Sequence, residues 1–228
     1  MSDAALPPAE ALRIARAFLP ERWWGNRTLY YYSRAKLRTD PLYPGVIEAL
    51  RGTTLPVLDV GCGIGLLAHA LRAQGLSMAY RGIDIDAPKI AEAHRGAARA
   101  GLRDVAFDVV DVEDGLPAHR GSVTVLDVLQ FVPAQGQLDV VAAAIERVAP
   151  GGRLVIRTGL DDGSARARTT RRIDVLSRVL QWMPSSPKRY PDPDALRAQF
   201  ESAGLRASFT PLFGNTPFNN WRIVASRD

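Results

Sequence analysis

A glycine-rich turn joins an apolar run to an amphipathic run in the segment LDVGCGIGLLA, residues 58–68. Three of its residues are glycines at alternating positions: Gly61, Gly63 and Gly65. Glycines between a strand and a helix permit positive φ angles and let a ligand approach the backbone closely. A dinucleotide-binding turn requires the spacing G-x-G-x-x-G, and Leu66 stands at its last position. The turn therefore predicts a ligand site whose occupant need not be a dinucleotide.

The charge beside this turn favours a cationic occupant. Asp59 lies two residues before the first glycine, and no Lys or Arg follows until Arg72. A carboxylate at that position repels a pyrophosphate and attracts a positive group. S-Adenosylmethionine carries a sulfonium and an ammonium but no phosphate, so the charge favours this cofactor over NAD.

Carboxylates recur where four successive strands are predicted to end. These residues are Asp59, Asp84, Asp111 and Asp127. Asp84 follows the glycines by about twenty residues, where a carboxylate accepts hydrogen bonds from ribose hydroxyls. Asp111 can accept a hydrogen bond from the amino group of an adenine, and the backbone of Val112 can then meet the edge of the adenine ring. Aspartate is common in turns, so each position alone is weak evidence. Together, the four predict a ligand site along one edge of a sheet.

An alternation of strand and helix patterns positions these carboxylates. Strands are predicted at residues 56–60, 78–84, 104–111, 122–129 and 153–159, and helices at 66–75, 87–101 and 134–152. This alternation predicts a doubly wound α/β fold, a mostly parallel sheet with helices on both faces. Ligands of such sheets bind outside the carboxyl ends of the strands.

Two segments fall outside the alternation. Residues 1–53 form a helical, aromatic extension, and the remaining residues 54–228 form the main domain. Residues 160–190 are predicted to form a basic insertion with an amphipathic helix near Ile173–Trp182. The chain ends in two strand-like runs joined by Gly-Asn-Thr-Pro, which predicts an antiparallel hairpin. The extension either packs as ordinary helices or covers the ligands as a lid; the lid candidates are Tyr30, Tyr31, Tyr32, Arg34 and Lys36.

The motifs LDVGCGIGLLA, GIDID, VVDVEDGLP, LDVLQFVP and VAPGGRLVIR occur in this order over residues 54–158. Because it has these five motifs in this order, the chain resembles the class I S-adenosylmethionine-dependent methyltransferases. The resemblance implies a seven-stranded sheet of order 3-2-1-4-5-7-6 with the seventh strand antiparallel, and S-adenosylhomocysteine as product. The predicted cofactor site comprises Asp59, Gly61, Cys62, Gly63, Gly65, Asp84, Ile85, Asp111, Val112, Asp127, Val128 and Gln130.

The acceptor side departs from common patterns of that family. Many members that act on small molecules have a histidine after the fourth strand, where this chain has Gln130, and the Asn-Pro-Pro-Tyr motif of enzymes that methylate base amino groups is missing. The candidates for catalysis are Tyr32, Gln130 and Asp161. The candidates for binding the acceptor are Tyr31, Tyr32, Arg34, Phe131 and Arg157. His69, His94 and His119 are predicted to pack or lie on the surface, and Cys62 is not predicted to be a nucleophile.

The flanking segments YYYSRAKLRTDPLYPG and TPFNNW resemble those of methyltransferases found with bacterial aryl-polyene pigment biosynthesis. That resemblance implies an aromatic acceptor, which can be attached to an acyl carrier protein. The function predicted from the sequence is O-methylation of a small aromatic hydroxyl compound. Three alternatives stay open: an RNA methyltransferase using the basic insertion, a cofactor-binding protein without transfer, and an NAD-dependent dehydrogenase.

The composition of the chain limits the possible functions, partners and location. The chain has 228 residues, 46% of them hydrophobic, and a net charge of +5. One cysteine excludes a disulfide framework, and no clustered ligands predict a metal site. The chain shows neither a membrane-spanning run nor a signal-peptide pattern, so a cytoplasmic location is expected. The excess of arginine is compatible with binding to nucleic acid, to an anionic membrane or to an acidic carrier protein. It is equally compatible with an ordinary solvent-exposed surface that binds none of them.

Overall fold

The computed structural model of the chain describes residues 4–161, 189–214 and 219–227. Its seven strands are, in chain order, β1 (Val57–Val60), β2 (Tyr80–Asp84), β3 (Val105–Val109), β4 (Ser122–Leu126), β5 (Arg153–Gly159), β6 (Arg206–Pro211) and β7 (Asn220–Ser226). They form one sheet of order β3-β2-β1-β4-β5-β7-β6. The first five strands are parallel, whereas β7 is antiparallel to both β5 and β6. The predicted fold class, strand order and final hairpin are confirmed.

Seven helices surround this sheet: α1 (Pro8–Ala15), α2 (Thr28–Thr39), α3 (Leu42–Leu50), α4 (Leu66–Ala73), α5 (Ala87–Ala100), α6 (Ala134–Glu146) and α7 (Pro193–Ser202), counted within the described residues. Local chemistry sets their ends. The Asp86 side chain accepts the backbone N–H of Lys89 at the start of α5, and Gly101, with φ 62°, ends that helix. Asp192 caps α7 in the same way.

Two hydrophobic clusters divide the helices between the faces of the sheet. On one face, α1 to α5 share a cluster that includes the fully buried Leu37, Val46 and Leu50 of the N-terminal segment. On the other face, α6 and α7 pack on β1, β4 and β5. The N-terminal helices are therefore part of the core of the domain, and their service as a lid remains a prediction.

Three strand boundaries differ from the sequence prediction by two residues or more. β4 ends at Leu126 instead of residue 129, because Asp127 adopts φ 59° and turns the chain away from the sheet. β2 begins at Tyr80, two residues later than predicted, and β3 ends at Val109, so Asp111 lies two residues beyond it. The predicted insertion helix and most of the Gly-Asn-Thr-Pro turn lie outside the described residues. Within the described part of the chain, no helix is long and apolar enough to cross a membrane.

Candidate active site

The glycine turn between β1 and α4 has the geometry that its sequence predicts. Gly61, Gly63 and Gly65 have φ angles of 73°, 57° and 77°, a region that favours glycine. A Cβ at Gly61 would lie 2.2 Å from Val128 Cγ2, and one at Gly65 would lie 2.7 Å from the Phe107 ring. A Cβ at Gly63 would meet nothing within 4 Å. Packing thus accounts for the two outer glycines, whereas the middle one borders open space where a ligand can approach.

Asp84 at the end of β2 is held beside this opening. Its Oδ2 accepts the backbone N–H of Gly63 at 2.9 Å, and its Oδ1 accepts the N–H of Asp86 at 2.9 Å. Each carboxylate oxygen has a further lone pair available for a hydroxyl. The neighbouring Ile85 side chain is 64% exposed, which leaves an apolar surface next to the carboxylate. This arrangement suits a ribose and the ring of an adenine.

Asp59 lies on β1 just before the turn, and side chains of the neighbouring strands donate hydrogen bonds to both of its carboxylate oxygens. Tyr80 Oη donates to its Oδ2 at 2.5 Å and Thr124 Oγ1 to its Oδ1 at 2.6 Å. Burial raises the pKa of Asp59 to about 6, although the hydrogen bonds from Thr124 and Tyr80 lower it. Its charge therefore acts on the turn from below, and a direct contact with the cofactor stays a prediction.

Asp111 and Val112 follow β3 at the same edge of the sheet. The Asp111 Oδ1 atom accepts the N–H of Glu113 at 2.9 Å and caps a single 3-10 turn, Val112–Asp114. This local hydrogen bond fixes the carboxylate and the Val112 backbone relative to each other. Their predicted contacts with adenine remain a prediction.

Asp127 belongs to a cluster of four largely buried charges. The Arg157 guanidinium on β5 donates to both Asp127 oxygens, and its Nη2 donates to Asp40 Oδ1 at 3.2 Å. Lys36 Nζ on α2 lies 3.5 Å from Asp127 Oδ2 and 3.8 Å from Asp40 Oδ2. Two cations thus balance two carboxylates, and the cluster joins α2 to the carboxyl edge of the sheet.

The cluster fixes the charge states of its members. Burial alone would raise the pKa of Asp127, but Arg157 and Lys36 outweigh it and hold that pKa below its ordinary value. Burial lowers the pKa of Lys36, yet Tyr32, Asp127 and Asp40 raise it above its usual value. Both groups are therefore charged at neutral pH. Burial also raises the pKa of the nearby Tyr43 hydroxyl well above its usual value, so it stays protonated.

Gln130 follows β4 and faces β5. Its side chain is buried, and its Oε1 accepts a hydrogen bond from Thr158 Oγ1 at 3.3 Å. The Gln130 carbonyl accepts the Arg189 N–H at 3.5 Å, and the Asp161 N–H donates to the Pro191 carbonyl at 3.0 Å. Gln130 and Asp161 are therefore both attached to the segment that precedes α7, and the half-buried Phe131 follows Gln130 directly.

The structure separates two other acceptor candidates from this edge. Tyr31 and Arg34 line a groove between α2 and the segment that contains α1, together with Arg16 and Arg27. The Arg157 guanidinium is already engaged by the carboxylates of the charge cluster. Of the acceptor candidates, Tyr32 on α2 and Phe131 lie on the side of the cluster and of Gln130.

The histidines pack within the fold or are hydrogen-bonded to its backbone, and the cysteine lies in the glycine turn. His69 is buried against Phe18, and the ring nitrogens of His94 and His119 are bonded to the carbonyls of Phe107 and Ser122. Burial raises the pKa of the Cys62 thiol, so this thiol is protonated at neutral pH. Within the described ranges, no group of His, Cys, Asp and Glu side chains could hold a metal ion.

Sequence reasoning missed Asp40 and Tyr43. Lys36 and Asp40 are four residues apart on α2 and its C-cap, which places both on one helix face. The sequence shows that spacing, but the partners of these two residues, one directly after β4 and one on β5, lie 87 and more residues away in the chain. Only the packing of α2 against the sheet brings the four charges together.

Comparisons with known proteins agree with this geometry. Residues 52–183 match the family model described as a methyltransferase domain. The ubiquinone biosynthesis O-methyltransferase of Paracidovorax citrulli (strain AAC00-1) is 33% identical over 161 residues, which cover 69% of this chain and 64% of that relative. The protein of the same name from Xanthomonas axonopodis pv. citri (strain 306) is 27% identical over 221 residues, 92% of this chain and 87% of the relative.

A solved structure shares the fold over most of the chain. The crystal structure of magnesium protoporphyrin IX methyltransferase from Synechocystis PCC 6803 with bound SAH superposes with a TM-score of 0.65 at 18% identity. The match covers 95% of this chain and 93% of that one. The chain spans just under two thirds of the first curated relative, at 64% of its length.

Proposed function

The chain belongs to the family of methyltransferase domains, and on that premise we propose that it transfers a methyl group from S-adenosylmethionine to the hydroxyl of a small aromatic acceptor. The observation that carries the proposal is the open face of Gly63 beside the fixed Asp84 carboxylate. The relatives named as ubiquinone biosynthesis O-methyltransferases support oxygen as the receiving atom. Family membership also favours a methyltransferase over the dehydrogenase alternative.

The residues at the carboxyl edge fit S-adenosylmethionine. In this proposal the open face of Gly63 lets the central part of the cofactor approach the backbone, Asp84 binds the ribose hydroxyls, and Asp111 with Val112 binds the adenine; the fixed Asp84 and Asp111 carboxylates support these roles. Residues 127–130 would hold the methionine end. When bound, this cofactor supplies a methyl group already activated by a sulfonium, so the protein needs mainly to align the acceptor and exclude water.

The charge states at this edge favour an acidic hydroxyl as acceptor. Lys36 of the charge cluster and the nearby Tyr43 hold their protons at neutral pH, and Asp127 has little tendency to take one. The Gln130 amide is not a base. A phenol, with a pKa of about 10 as in tyrosine, loses its proton more readily than an aliphatic alcohol. A phenolic acceptor therefore suits this site better than an aliphatic one.

Two measurements test the proposal in sequence. Calorimetric titration should show micromolar binding of S-adenosylhomocysteine and no binding of NAD. Methyl transfer should then be assayed on a hydroxybenzoate, the matching aminobenzoate and the matching benzyl alcohol. We expect product with the phenol alone, at a rate that rises with pH as the phenol ionises. Transfer to the amine with none to the phenol would contradict the proposal, and tight binding without any transfer would favour a binding-only protein.

Delivery of the acceptor on an acyl carrier protein is a finer part of the proposal. It depends on Arg166, Arg168, Arg171 and Arg172, which lie outside the described residues. Reversing these charges should impair transfer to a carrier-linked acceptor far more than transfer to the free acid. If transfer to both acceptors falls equally, the carrier is not recognised through these arginines.

The alternative of an RNA methyltransferase predicts RNA binding that weakens steeply as the salt concentration rises. RNA binding that does not change with salt counts against this alternative.

A further inference from the structure

Exposed aromatic side chains cluster at the start of α2. Six large hydrophobic side chains are exposed within the described residues, and four of them lie between positions 23 and 32: Trp23 at 78%, Trp24 at 66%, Tyr31 at 55% and Tyr32 at 49%. Single exposed hydrophobic residues need no explanation, but a cluster marks an interaction surface. Arginines accompany them, and we define the aromatic–arginine patch as Arg22, Trp23, Trp24, Arg27, Tyr31 and Arg34.

The faces of α2 show why the patch points outward. Ser33 and Leu37 are buried against the core, and Lys36 faces the charge cluster at the site. Helical spacing puts a third set of residues on the opposite side: Arg27, Tyr31, Arg34 and Arg38. The outer face of this helix is thus basic and aromatic, whereas ordinary solvent-facing helices carry mixed charges.

The tryptophan turn and this helix face form one surface. Arg27 Nη2 donates to the Trp23 carbonyl at 3.2 Å, and the rings of Tyr30 and Tyr31 pack with centroids 5.0 Å apart. Arg27, Tyr31 and Arg34 line the same groove of about 480 Å³. Arg27 therefore links the tryptophan turn to the groove that Tyr31 and Arg34 line.

The charge of this surface is one-sided. Residues 20–38 contain four arginines and Lys36 but a single acid, Glu21. Within the described ranges no ion pair joins Arg22, Arg27, Arg34 or Arg38 to a carboxylate. The surface is therefore complementary to a partner with a high density of negative charge.

We propose that the aromatic–arginine patch docks the protein on the surface of an anionic lipid bilayer. Tryptophan and tyrosine favour the interface between headgroups and acyl chains, because their rings are apolar and carry one polar group. Arginine is attracted to anionic headgroups and can bury its methylene stem at the same depth. The proposal concerns binding alone and does not depend on the proposed transfer reaction.

Two other occupants fit the geometry less well. A second copy of the chain, related by two-fold symmetry, would place the same arginines against each other, and like charges repel. Single-stranded nucleic acid stacks successive bases on parallel aromatic faces. Trp23 and Trp24 are instead perpendicular, with an interplanar angle of 89° at 5.5 Å, and Arg22 lies 5.9 Å above the Trp24 ring.

Sedimentation of the full chain with lipid vesicles tests the proposal. We expect binding to an equal mixture of phosphatidylcholine and phosphatidylglycerol, and weak binding to phosphatidylcholine alone. The double variants Trp23→Ser/Trp24→Ser and Arg22→Glu/Arg27→Glu should each weaken binding to the mixed vesicles by about tenfold or more. Because these side chains are exposed, melting curves by circular dichroism should match the unaltered protein.

Matched control variants distinguish binding through the aromatic–arginine patch from nonspecific adsorption to the vesicles. Val109→Ser removes an exposed apolar side chain on β3, and Arg120→Glu reverses an exposed charge before β4. Both controls should bind the mixed vesicles as the unaltered protein does. Equal binding by the tryptophan variant, equal binding to both kinds of vesicle, or binding to a single-stranded RNA oligomer with none to vesicles would each overturn the proposal.

Discussion

The backbone N–H of Gly63 donates to the Asp84 carboxylate at 2.9 Å, although 21 residues separate them in the sequence. The hydrogen bond links the glycine turn after β1 to the end of β2. Asp84 Oδ1 is fixed at the same time by the Asp86 N–H. The turn and the carboxylate therefore form a single preorganised unit, which a ligand meets already in place.

We expect Asp84→Ala to weaken binding of S-adenosylhomocysteine at least about thirtyfold, because each hydrogen bond to a charged group contributes about 1.5–3 kcal/mol. Isothermal titration calorimetry measures the loss. Asp108→Ala is the matched control, since it removes a half-exposed carboxylate one strand away that pairs with Arg81. The control should bind as the unaltered protein does. Equal affinities of the two variants would show that Asp84 does not contact the ligand.

Gly63→Ala should weaken cofactor binding by more than its modest loss of stability explains. The new methyl group meets no protein atom, so the expected cost is the strain of a positive φ, about 1–2 kcal/mol. Gly101→Ala is a close control, because Gly101 has φ 62° and also meets nothing within 4 Å. Thermal melting should show similar losses for both. Calorimetry should show a loss of affinity for S-adenosylhomocysteine in Gly63→Ala but not in Gly101→Ala. Undiminished affinity of Gly63→Ala would show that the ligand does not bind against the glycine turn.

Much of the fold could be predicted because each strand and helix carries its own local pattern. The alternation of elements limits the topology, and Asp84 could be placed because it ends a strand about twenty residues after the glycines. The charge cluster could not be predicted in the same way. Asp40 meets Arg157 only through the packing of α2, and no local pattern indicates the positive φ of Asp127. Helical phase could have separated Tyr31 from Lys36, since they point to different faces of α2.

Arg157→Met should destabilise the protein by about 3–5 kcal/mol, because it leaves two largely buried carboxylates with Lys36 alone. Urea unfolding followed by circular dichroism measures this change. Adding Asp40→Asn restores the charge balance, so the double variant should lose less than the sum of the two single losses. Additive losses would show that Asp40 and Arg157 do not interact.

Arg222→Met offers a comparison on the neighbouring strand. Arg222 pairs with Arg157 in register and donates to Glu48, whose side chain is 49% exposed. Water can solvate that carboxylate once the arginine is gone, so the expected loss is about 1–2 kcal/mol and comes mainly from the buried Gly45 carbonyl, to which Arg222 donates at 2.8 Å. A loss equal to that of Arg157→Met would contradict the role assigned to burial in the charge cluster.

Asp59 should make the protein more stable in mild acid. Burial raises its pKa to about 6, against an ordinary value of 3.8, so the folded state takes up a proton before the unfolded state does. Stability from this group therefore rises as pH falls from about 6 to about 4, by up to about 3 kcal/mol. The contribution is measured as the difference between the unaltered protein and Asp59→Asn in urea unfolding across this range. A difference that does not change with pH would show that Asp59 titrates normally.

His69 should act in the opposite direction over nearly the same range. Burial lowers its pKa from 6.5 to about 4, so the unfolded state binds the proton first and stability falls as pH drops. The two groups should largely cancel in the unaltered protein. Asp59→Asn should then lose about 3 kcal/mol between pH of about 6.5 and 4, whereas His69→Leu should gain stability over this interval. Parallel stability curves for both variants would contradict the assignment of these two buried groups.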